Sequence, residues 1–178
     1  ARIINPGFEQ GLVQSAWQAT ASDGNPVFTA SASLPAYVQP YSGDWLAWMG
    51  GLTPGISATA TLTQAVALPS GDPAATLSLA TFVHPGGTTP QDDRLSVRIY
   101  DLTGTLQVEL LALTGQSPAD AWQVAQFDLS AFSGQTVQAV ISATSAGTAF
   151  FVDDVSLLTA GASGPDEFRA LWVDAYRP

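Results

Sequence analysis

Cysteine and lysine are both absent from this 178-residue chain, and histidine occurs once. Without cysteine the protein can have no disulfide, no thiolate metal site and no cysteine nucleophile. The basic residues are five arginines, set against fifteen acidic residues, for a formal net charge of −10. A surface of this charge repels phosphate backbones and anionic lipid headgroups, so we expect neither a nucleic-acid partner nor a membrane partner.

Long apolar runs and catalytic signatures are missing as well. No run approaches the roughly 20 apolar residues that a membrane-spanning helix needs. His84 has no GxSxG elbow to work with, and it is best interpreted as a surface or loop-edge histidine. The adjacent carboxylates Asp92-Asp93 lie in a loop and Asp153-Asp154 in a strand, so neither pair can face across a sugar as glycosidase acids do. We therefore predict that the domain is not an enzyme by itself.

Short alternating segments separated by turn residues dominate what is present. Apolar residues make up 46% of the chain and charged residues 11%, which is typical of one folded domain and not of a disordered acidic tail. No segment has a convincing helical period. The strands predicted from alternation and turn residues span 3–4, 17–20, 27–32, 45–49, 57–68, 76–84, 94–100, 105–114, 122–129, 135–144 and 150–157. This pattern predicts an all-β sandwich of about nine or ten antiparallel strands.

The last of these strands, FFVDDVSL at 150–157, carries two carboxylates within an apolar run. A strand of this composition belongs in a sheet core. An unpaired carboxylate in such a core costs several kcal/mol or more. At least one of Asp153 and Asp154 therefore needs a partner, and we expect a bound cation shared with NPGFEQG at 5–11.

Six segments, taken in chain order, resemble the galactose-binding-like jelly-roll modules, a superfamily that includes many carbohydrate-binding modules and accessory domains of secreted proteases and glycosidases. The resemblance covers roughly Ile3 to Leu158. The segments are NPGFEQG, YSGDWLAWMGG, LTQAVALPSGDPAATLSLATFVH, DDRLSVRIYD, WQVAQFDLSAFSGQTVQAVISATS and FFVDDVSL.

The end of the chain is different in kind. Residues 167–178, EFRALWVDAYRP, resemble the first barrel strand of a glycosyl-hydrolase-like family of secreted bacterial proteins. We therefore expect a jelly-roll sandwich over 1–158 and a linker over 159–166. Residues 167–178 would be either the truncated start of a following barrel-like domain or a disordered tail.

The resemblance implies a structural calcium ion where the first and last strands meet. Its ligands would be Glu9, Asp154 and the loop around Asp44, because calcium prefers carboxylate and main-chain carbonyl oxygens. Alternation places the two adjacent aspartates on opposite faces of the strand, so only one should face the ion. We favour Asp154, with Asp153 capping a turn or facing water.

The resemblance also implies a sugar-binding face, since such modules stack sugar rings on exposed aromatic side chains and hold hydroxyls with polar groups. If strands 76–84 and 94–100 pair, one polar-aromatic face contains Phe82, His84, Arg98 and Tyr100, with Trp48 and Trp122 as further candidates. Two ordinary interpretations stay open. The tryptophans can be core residues, and Arg98 can pair with a nearby acid such as Asp92 or Asp93.

Taken together, these features predict a non-catalytic carbohydrate-binding or ancillary module of a secreted, glycosidase-like protein. Its partners would be a polysaccharide or glycan and an adjacent catalytic domain of the same chain. Its location would be secreted or at the surface of a bacterial cell. The alternative is a structural or protein-interaction sandwich that binds no sugar.

Overall fold

A computed structural model describes residues 3–11, 16–50, 55–70, 74–86 and 92–159. In this part of the chain the secondary structure is ten strands and two single turns of 3-10 helix, at Ser31–Ser33 and Ser130–Phe132. The strands are β1 Gln18–Ala21, β2 Phe28–Ala30, β3 Trp45–Trp48, β4 Ala58–Ala67, β5 Ala75–His84, β6 Arg94–Tyr100, β7 Leu106–Thr114, β8 Gln123–Asp128, β9 Thr136–Ser145 and β10 Ala149–Thr159. Among these residues none forms a helix with the length and hydropathy that a bilayer span requires.

Two five-stranded sheets face each other, and every strand pair is antiparallel. Sheet A has the order β1-β4-β9-β6-β7, and sheet B has the order β2-β3-β10-β5-β8. The predicted all-β antiparallel jelly-roll sandwich is therefore confirmed. The predicted strand at 3–4 is wrong, because Ile4 instead bonds through its main chain to the side chain of Gln64. The predicted linker and tail, apart from Thr159, lie outside the described residues.

The main core fills the space between the sheets and follows the alternation of the sequence. On β4 the inward residues include Ala60 and Leu62, and on β6 they include Leu95 and Ile99. Val152 of β10 lies in the same core. Burying these side chains is the main favourable term in folding, at about 25 cal/mol for each Å² of apolar surface removed from water.

A second, smaller cluster lies on the outer face of sheet B. Its buried members include Phe82 and Phe151, which point away from the main core. Residues 31–42, between β2 and β3, cover this face, and we call them the strap. Val38 of the strap is 2% exposed and packs into the second cluster, with Leu34 beside it. The part of the outer face of sheet B around Phe82 and Phe151 is therefore protected from water by a loop.

A bulge interrupts β10 at the two adjacent aspartates. Its pairing with β5 runs to Asp153 opposite Ala80 and resumes at Ser156 opposite Ser78. Asp154 sits in the bulge with a φ of 48°, which is unusual for a residue other than glycine. The expected alternation is therefore broken, and the side chains of both aspartates reach the same loop.

Candidate functional site

The predicted ligand-binding residues do not lie on one face. Strand β5 belongs to sheet B and β6 to sheet A, so the two strands do not pair and the prediction of a shared face was wrong. Phe82 and His84 lie on the outer side of sheet B. Arg98 and Tyr100 lie on the outer side of sheet A, opposite in direction to the buried Ile99.

The arginines of β6 pair with an acid on the neighbouring strand β7. Arg98 donates from Nε to Oε2 of Glu109 at 2.7 Å, and Arg94 donates from Nη2 to Oε1 at 2.5 Å. This hydrogen bond raises the pKa of Arg98 and lowers the pKa of Glu109. The predicted pairing of Arg98 with Asp92 or Asp93 is wrong. Glu109 lies directly opposite Arg98 on the neighbouring strand, and side chains at such cross-strand positions are in contact.

Asp93 instead holds the turn between β9 and β10. Its carboxylate accepts hydrogen bonds from the main-chain N–H groups of Ala146, Gly147 and Thr148. Burial acts to raise the pKa of Asp93, but these N–H donors outweigh it, and the pKa lies below the ordinary value. Its role is therefore architectural.

Two of the predicted aromatic residues on sheet B are packed into the second cluster. Phe82 is 5% exposed and contacts Phe151 edge-on, with ring centroids 5.9 Å apart. Trp48 packs against the same phenylalanine at 5.2 Å. The Phe82 ring is therefore closed to a ligand, as part of the floor beneath the strap, whereas Trp48 is half-buried at the side of the cluster.

A group of exposed and half-buried side chains lies at the edge of this floor, and we call it the aromatic site. It consists of Tyr37 and Tyr41 of the strap, His84 at the end of β5, and Asp120 and Trp122 of the loop between β7 and β8. Tyr37 and Tyr41 are 42% and 47% exposed. Three separate segments of the chain thus contribute to one surface.

Within the aromatic site, Tyr37, His84 and Asp120 form a linked trio. The imidazole lies parallel to the tyrosine ring, with centroids 3.7 Å apart, and its Nδ1 lies 2.5 Å from Oδ1 of Asp120. Burial, and to a lesser degree the charge of Asp120, raises the pKa of Tyr37. The contact between Nδ1 and the Asp120 carboxylate orients the imidazole.

Trp122 is fixed by contacts on several sides. Its indole N–H donates to the carbonyl of Gln39 at 3.0 Å, and its ring meets Tyr41 edge-on at 5.7 Å. Asp120, two residues earlier, has a φ of 58° and donates its main-chain N–H to Val83. Strained residues held in place by their surroundings are frequent at binding sites.

Sequence reasoning identified His84 and Trp122 but missed Tyr37, Tyr41 and Asp120. The two tyrosines lie in PAYVQPY at 35–41, where prolines mark a loop and the polar surroundings argue against a buried strand. Exposed aromatic residues in a loop were the available signal. Asp120 carried no comparable signal, since its partner is distant in sequence.

A second group of polar residues lies where the N-terminal segment meets the bulge, and we call Glu9, Asp153 and Asp154 the carboxylate cluster. A Cβ atom placed on Gly7 would lie 3.2 Å from Oδ1 of Asp154, 3.6 Å from Oε1 of Glu9 and 3.7 Å from Oδ1 of Asp153. The three carboxylates therefore converge around a glycine. The segments 5–11 and 150–157 are brought together as the sequence predicted.

The cluster binds the end of the strap and the start of β3. Ser42 donates its main-chain N–H to Oδ2 of Asp153 at 3.1 Å and its hydroxyl to Oδ1 of Asp154 at 2.8 Å. Glu9 accepts the main-chain N–H groups of Asp44, at 3.0 Å, and Trp45, at 3.1 Å. Of the two alternatives predicted for Asp153, capping a turn or facing water, the structure shows the first: Asp153 accepts the N–H of Ser42 and is buried.

Among the described residues, the two arginines, Arg94 and Arg98, pair with Glu109 and not with the carboxylate cluster. Asp153 is fully buried, and burial raises its pKa to about 6 even though the N–H groups of Ser42 and Asp154 act to lower it. The ion pairs in the described part of the chain lie elsewhere, at Glu109 and Asp120. A cation would stabilise such a site.

The donor types suit calcium, which binds carboxylate and carbonyl oxygens. Of the predicted ligands, Glu9 and Asp154 belong to the cluster, whereas Asp44 is exposed and reaches Glu9 through its main-chain N–H. Over the described ranges, no group of three or more His, Cys, Asp or Glu side chains is arranged to hold a metal ion. Calcium binding would therefore need main-chain carbonyls in addition, and it stays a prediction.

Comparison with known proteins shows the fold. No protein-family model matches the chain, and no curated protein sequence matches it. Among solved structures, a family 61 carbohydrate-binding module in complex with β-1,4-galactotriose aligns with a TM-score of 0.60 and 20% identity, covering 89% of this chain and 99% of that one. A family 16 carbohydrate-binding module aligns with a TM-score of 0.53 and 20% identity, covering 88% and 98%.

This chain has the fold of these carbohydrate-binding modules. The same sandwich occurs in the K3 cleaved adhesin domain of Lys-gingipain from Porphyromonas gingivalis, with a TM-score of 0.56, 15% identity and coverage of 89% and 99%. One architecture thus serves sugar-binding modules and an adhesin domain, so the function of this sandwich has to be argued from its own side chains.

Proposed function

We propose that this domain is a non-catalytic carbohydrate-binding module that binds an uncharged polysaccharide at the aromatic site. The observation that carries the proposal is the exposure of two strap tyrosines, Tyr37 stacked on the imidazole of the His84–Asp120 pair and Tyr41 against Trp122. Flat exposed rings with polar groups at their edge are the chemistry that a pyranose requires, with one apolar face and many hydroxyls. The net charge of −10 disfavours anionic glycans.

The rings would stack on the apolar face of a sugar, and the site's polar groups would fix its orientation. Asp120 can accept a hydrogen bond from a hydroxyl with the carboxylate oxygen that His84 does not use. A site of this kind is shallow, and its affinity is modest. Attachment to an adjacent catalytic domain of a secreted glycosidase-like protein would make it useful, because tethering raises the effective concentration at the polysaccharide.

Affinity electrophoresis on a panel of neutral polysaccharides, followed by calorimetry with β-1,4-galactotriose, tests the proposal. We expect retardation on at least one glycan, and we expect Tyr41→Ala to weaken it by roughly tenfold, the scale of one lost stacking contact. Tyr100→Ala is the matched control, since it removes a partly exposed tyrosine from the outer face of sheet A. Loss of binding in Tyr100→Ala but not in Tyr41→Ala would place the sugar-binding site on sheet A and contradict the proposal.

We also propose a structural calcium ion at the carboxylate cluster. The support is the convergence of three carboxylates around Gly7 and the burial of Asp153. The ion would join the N-terminal segment to β10 and stabilise the fold by mass action. We expect EGTA to lower the melting temperature and calcium chloride to restore it. An unchanged melting temperature would remove calcium from the proposal and leave sugar binding intact.

The fold likeness to the gingipain adhesin domain favours one alternative, a protein-interaction domain that binds no sugar. Under that alternative the exposed tyrosines would contact a protein surface, where tyrosine is also enriched. Absence of retardation on every glycan, with Tyr41→Ala still reducing attachment to an isolated partner domain of the same protein, would favour the alternative.

A further inference from the structure

We propose that Glu9 and Asp153 are positioning residues for the aromatic site: they fix one end of the strap and thereby set ligand affinity without touching the ligand. The inference rests on the proposed function for its ligand, but its structural half stands on hydrogen bonds within this chain.

The strap is a closed loop whose base is tied to the carboxylate cluster. Its first residue, Ser31, donates its main-chain N–H to the carbonyl of Asp44 at 2.8 Å, so the two ends of the loop meet. The N–H of Asp44 in turn donates to Glu9, and the N–H of Ser42 donates to Asp153. Both carboxylates therefore accept main-chain donors at the point where the strap joins β3.

The middle of the strap is held by apolar packing and by one hydrogen bond. Val38 packs into the second cluster with Phe82 and Phe151, and the carbonyl of Gln39 accepts the indole N–H of Trp122. Tyr41 lies between this anchor and Ser42, whose N–H is held by Asp153. Its ring contacts Trp122 edge-on, and it is otherwise exposed.

The two kinds of anchor have different effects on the rings. Apolar packing is not directional, so the Val38 contact keeps the strap on the sheet without fixing how it is rotated. Hydrogen bonds to a fixed carboxylate are directional, and those with charged acceptors are about twice as strong as neutral ones. Loss of the carboxylates should therefore leave the strap attached while Tyr41 and the Trp122 contact become mobile.

Amide and indole hydrogen exchange by NMR tests this step directly. The variants are Asp153→Asn, Glu9→Gln and, as a matched control, Glu109→Gln, which removes a carboxylate from the outer face of sheet A. The reporter is the indole N–H of Trp122, assigned by its disappearance in Trp122→Phe. EGTA is present throughout, which keeps calcium out of the comparison.

We expect the Trp122 indole to exchange roughly tenfold faster in Asp153→Asn and Glu9→Gln, the scale of losing one hydrogen bond to a charged group. The dissociation constant for β-1,4-galactotriose, or for a polysaccharide that retards the wild type, should rise by a similar factor. A general loss of stability would instead accelerate the slow amides of β4 and β9 to the same extent. Glu109→Gln should change neither reporter.

The outcomes separate this inference from the proposed function. Unchanged indole exchange in both variants overturns it. Faster exchange with unchanged glycan affinity also overturns it, since the carboxylates would then order the strap without setting binding. If the wild type binds no glycan, the proposed function fails, and with it the affinity half of the inference. Should Asp153→Asn fail to fold, Glu9→Gln alone decides, because that side chain lies at the surface.

Discussion

The imidazole of His84 lies parallel to the ring of Tyr37, with centroids 3.7 Å apart and planes inclined by 15°. One residue ends β5, and the other belongs to the strap that crosses the outer face of sheet B. The contact therefore joins the loop to the sheet at the point where Asp120 binds the imidazole. The aromatic site exists because these three segments meet.

The pairing of His84 with Asp120 should be measurable as a coupling energy. Double-mutant analysis with His84→Gln and Asp120→Asn, by urea denaturation, should give about 0.5 kcal/mol, the size typical of a partly exposed pair. The combination of His84→Gln with Asp128→Asn is the control, because Asp128 bonds to Ser130 and not to the imidazole. A coupling no larger than in this control would show that the pair contributes nothing to stability.

Truncating a buried side chain of the second cluster should lower the free energy of unfolding as much as truncating one in the main core. Phe151 is fully buried and contacts the rings of Trp48, Phe82 and Tyr37. Phe151→Ala should lower the free energy of unfolding by about 3–5 kcal/mol, whereas Phe151→Leu, which keeps much of the volume, should cost about 1 kcal/mol. A cost below 1 kcal/mol for the alanine variant would mean that the strap does not pack here.

Asp93 should make stability depend on pH in the acid range. Its folded-state pKa lies below the ordinary 3.8, because main-chain N–H donors outweigh the effect of burial. Its stabilising contribution is therefore fully present above pH 3.8 and is lost as the pH falls through the folded-state pKa. Urea denaturation should show Asp93→Asn less stable than the wild type at pH 7, with the difference narrowing as the pH is lowered below 3.8. The control Asp92→Asn, at an exposed position, should follow the wild type at both pH values.

Gly43 should tolerate no side chain, for two reasons that a control can separate. Its φ is +64°, and a Cβ atom there would collide with the carboxylate of Glu9. Gly104 has a φ of +84° and open space around it, so Gly104→Ala reports the backbone cost alone, about 1 kcal/mol. Gly43→Ala should lower the free energy of unfolding further than Gly104→Ala does. Equal losses would show that Glu9 moves aside freely.

Strand positions and inward faces could be predicted because they depend on neighbouring residues. Strand β6 begins and ends where the alternation predicted, and Leu62 of β4 faces inward as expected. The choice of strand partners could not be predicted in the same way. Strand β5 pairs with β8 and β10, and nothing local to β5 or β6 excludes the pairing that was expected instead.

The location of the carboxylate cluster was predicted from the sequence, but its side-chain geometry was not. The chemical need of Asp153 and Asp154 for partners pointed correctly to the N-terminal segment, since a charge in a strand core is costly wherever that strand lies. The prediction that the two side chains point to opposite faces was wrong, because the bulge after Asp153 adds a residue that strict alternation does not allow for.

Composition and alternation by themselves determined an acidic, all-β sandwich with two adjacent carboxylates in its last strand, since charge and side-chain period are properties of the chain at each point. Only the tertiary structure decided which of the candidate side chains lie together. It placed Arg98 and His84 on different sheets, buried Phe82 under the strap, and brought Tyr37 and Asp120 to the same histidine. Those relationships join residues far apart in sequence, and they arise only when burial of the second cluster folds the strap onto sheet B.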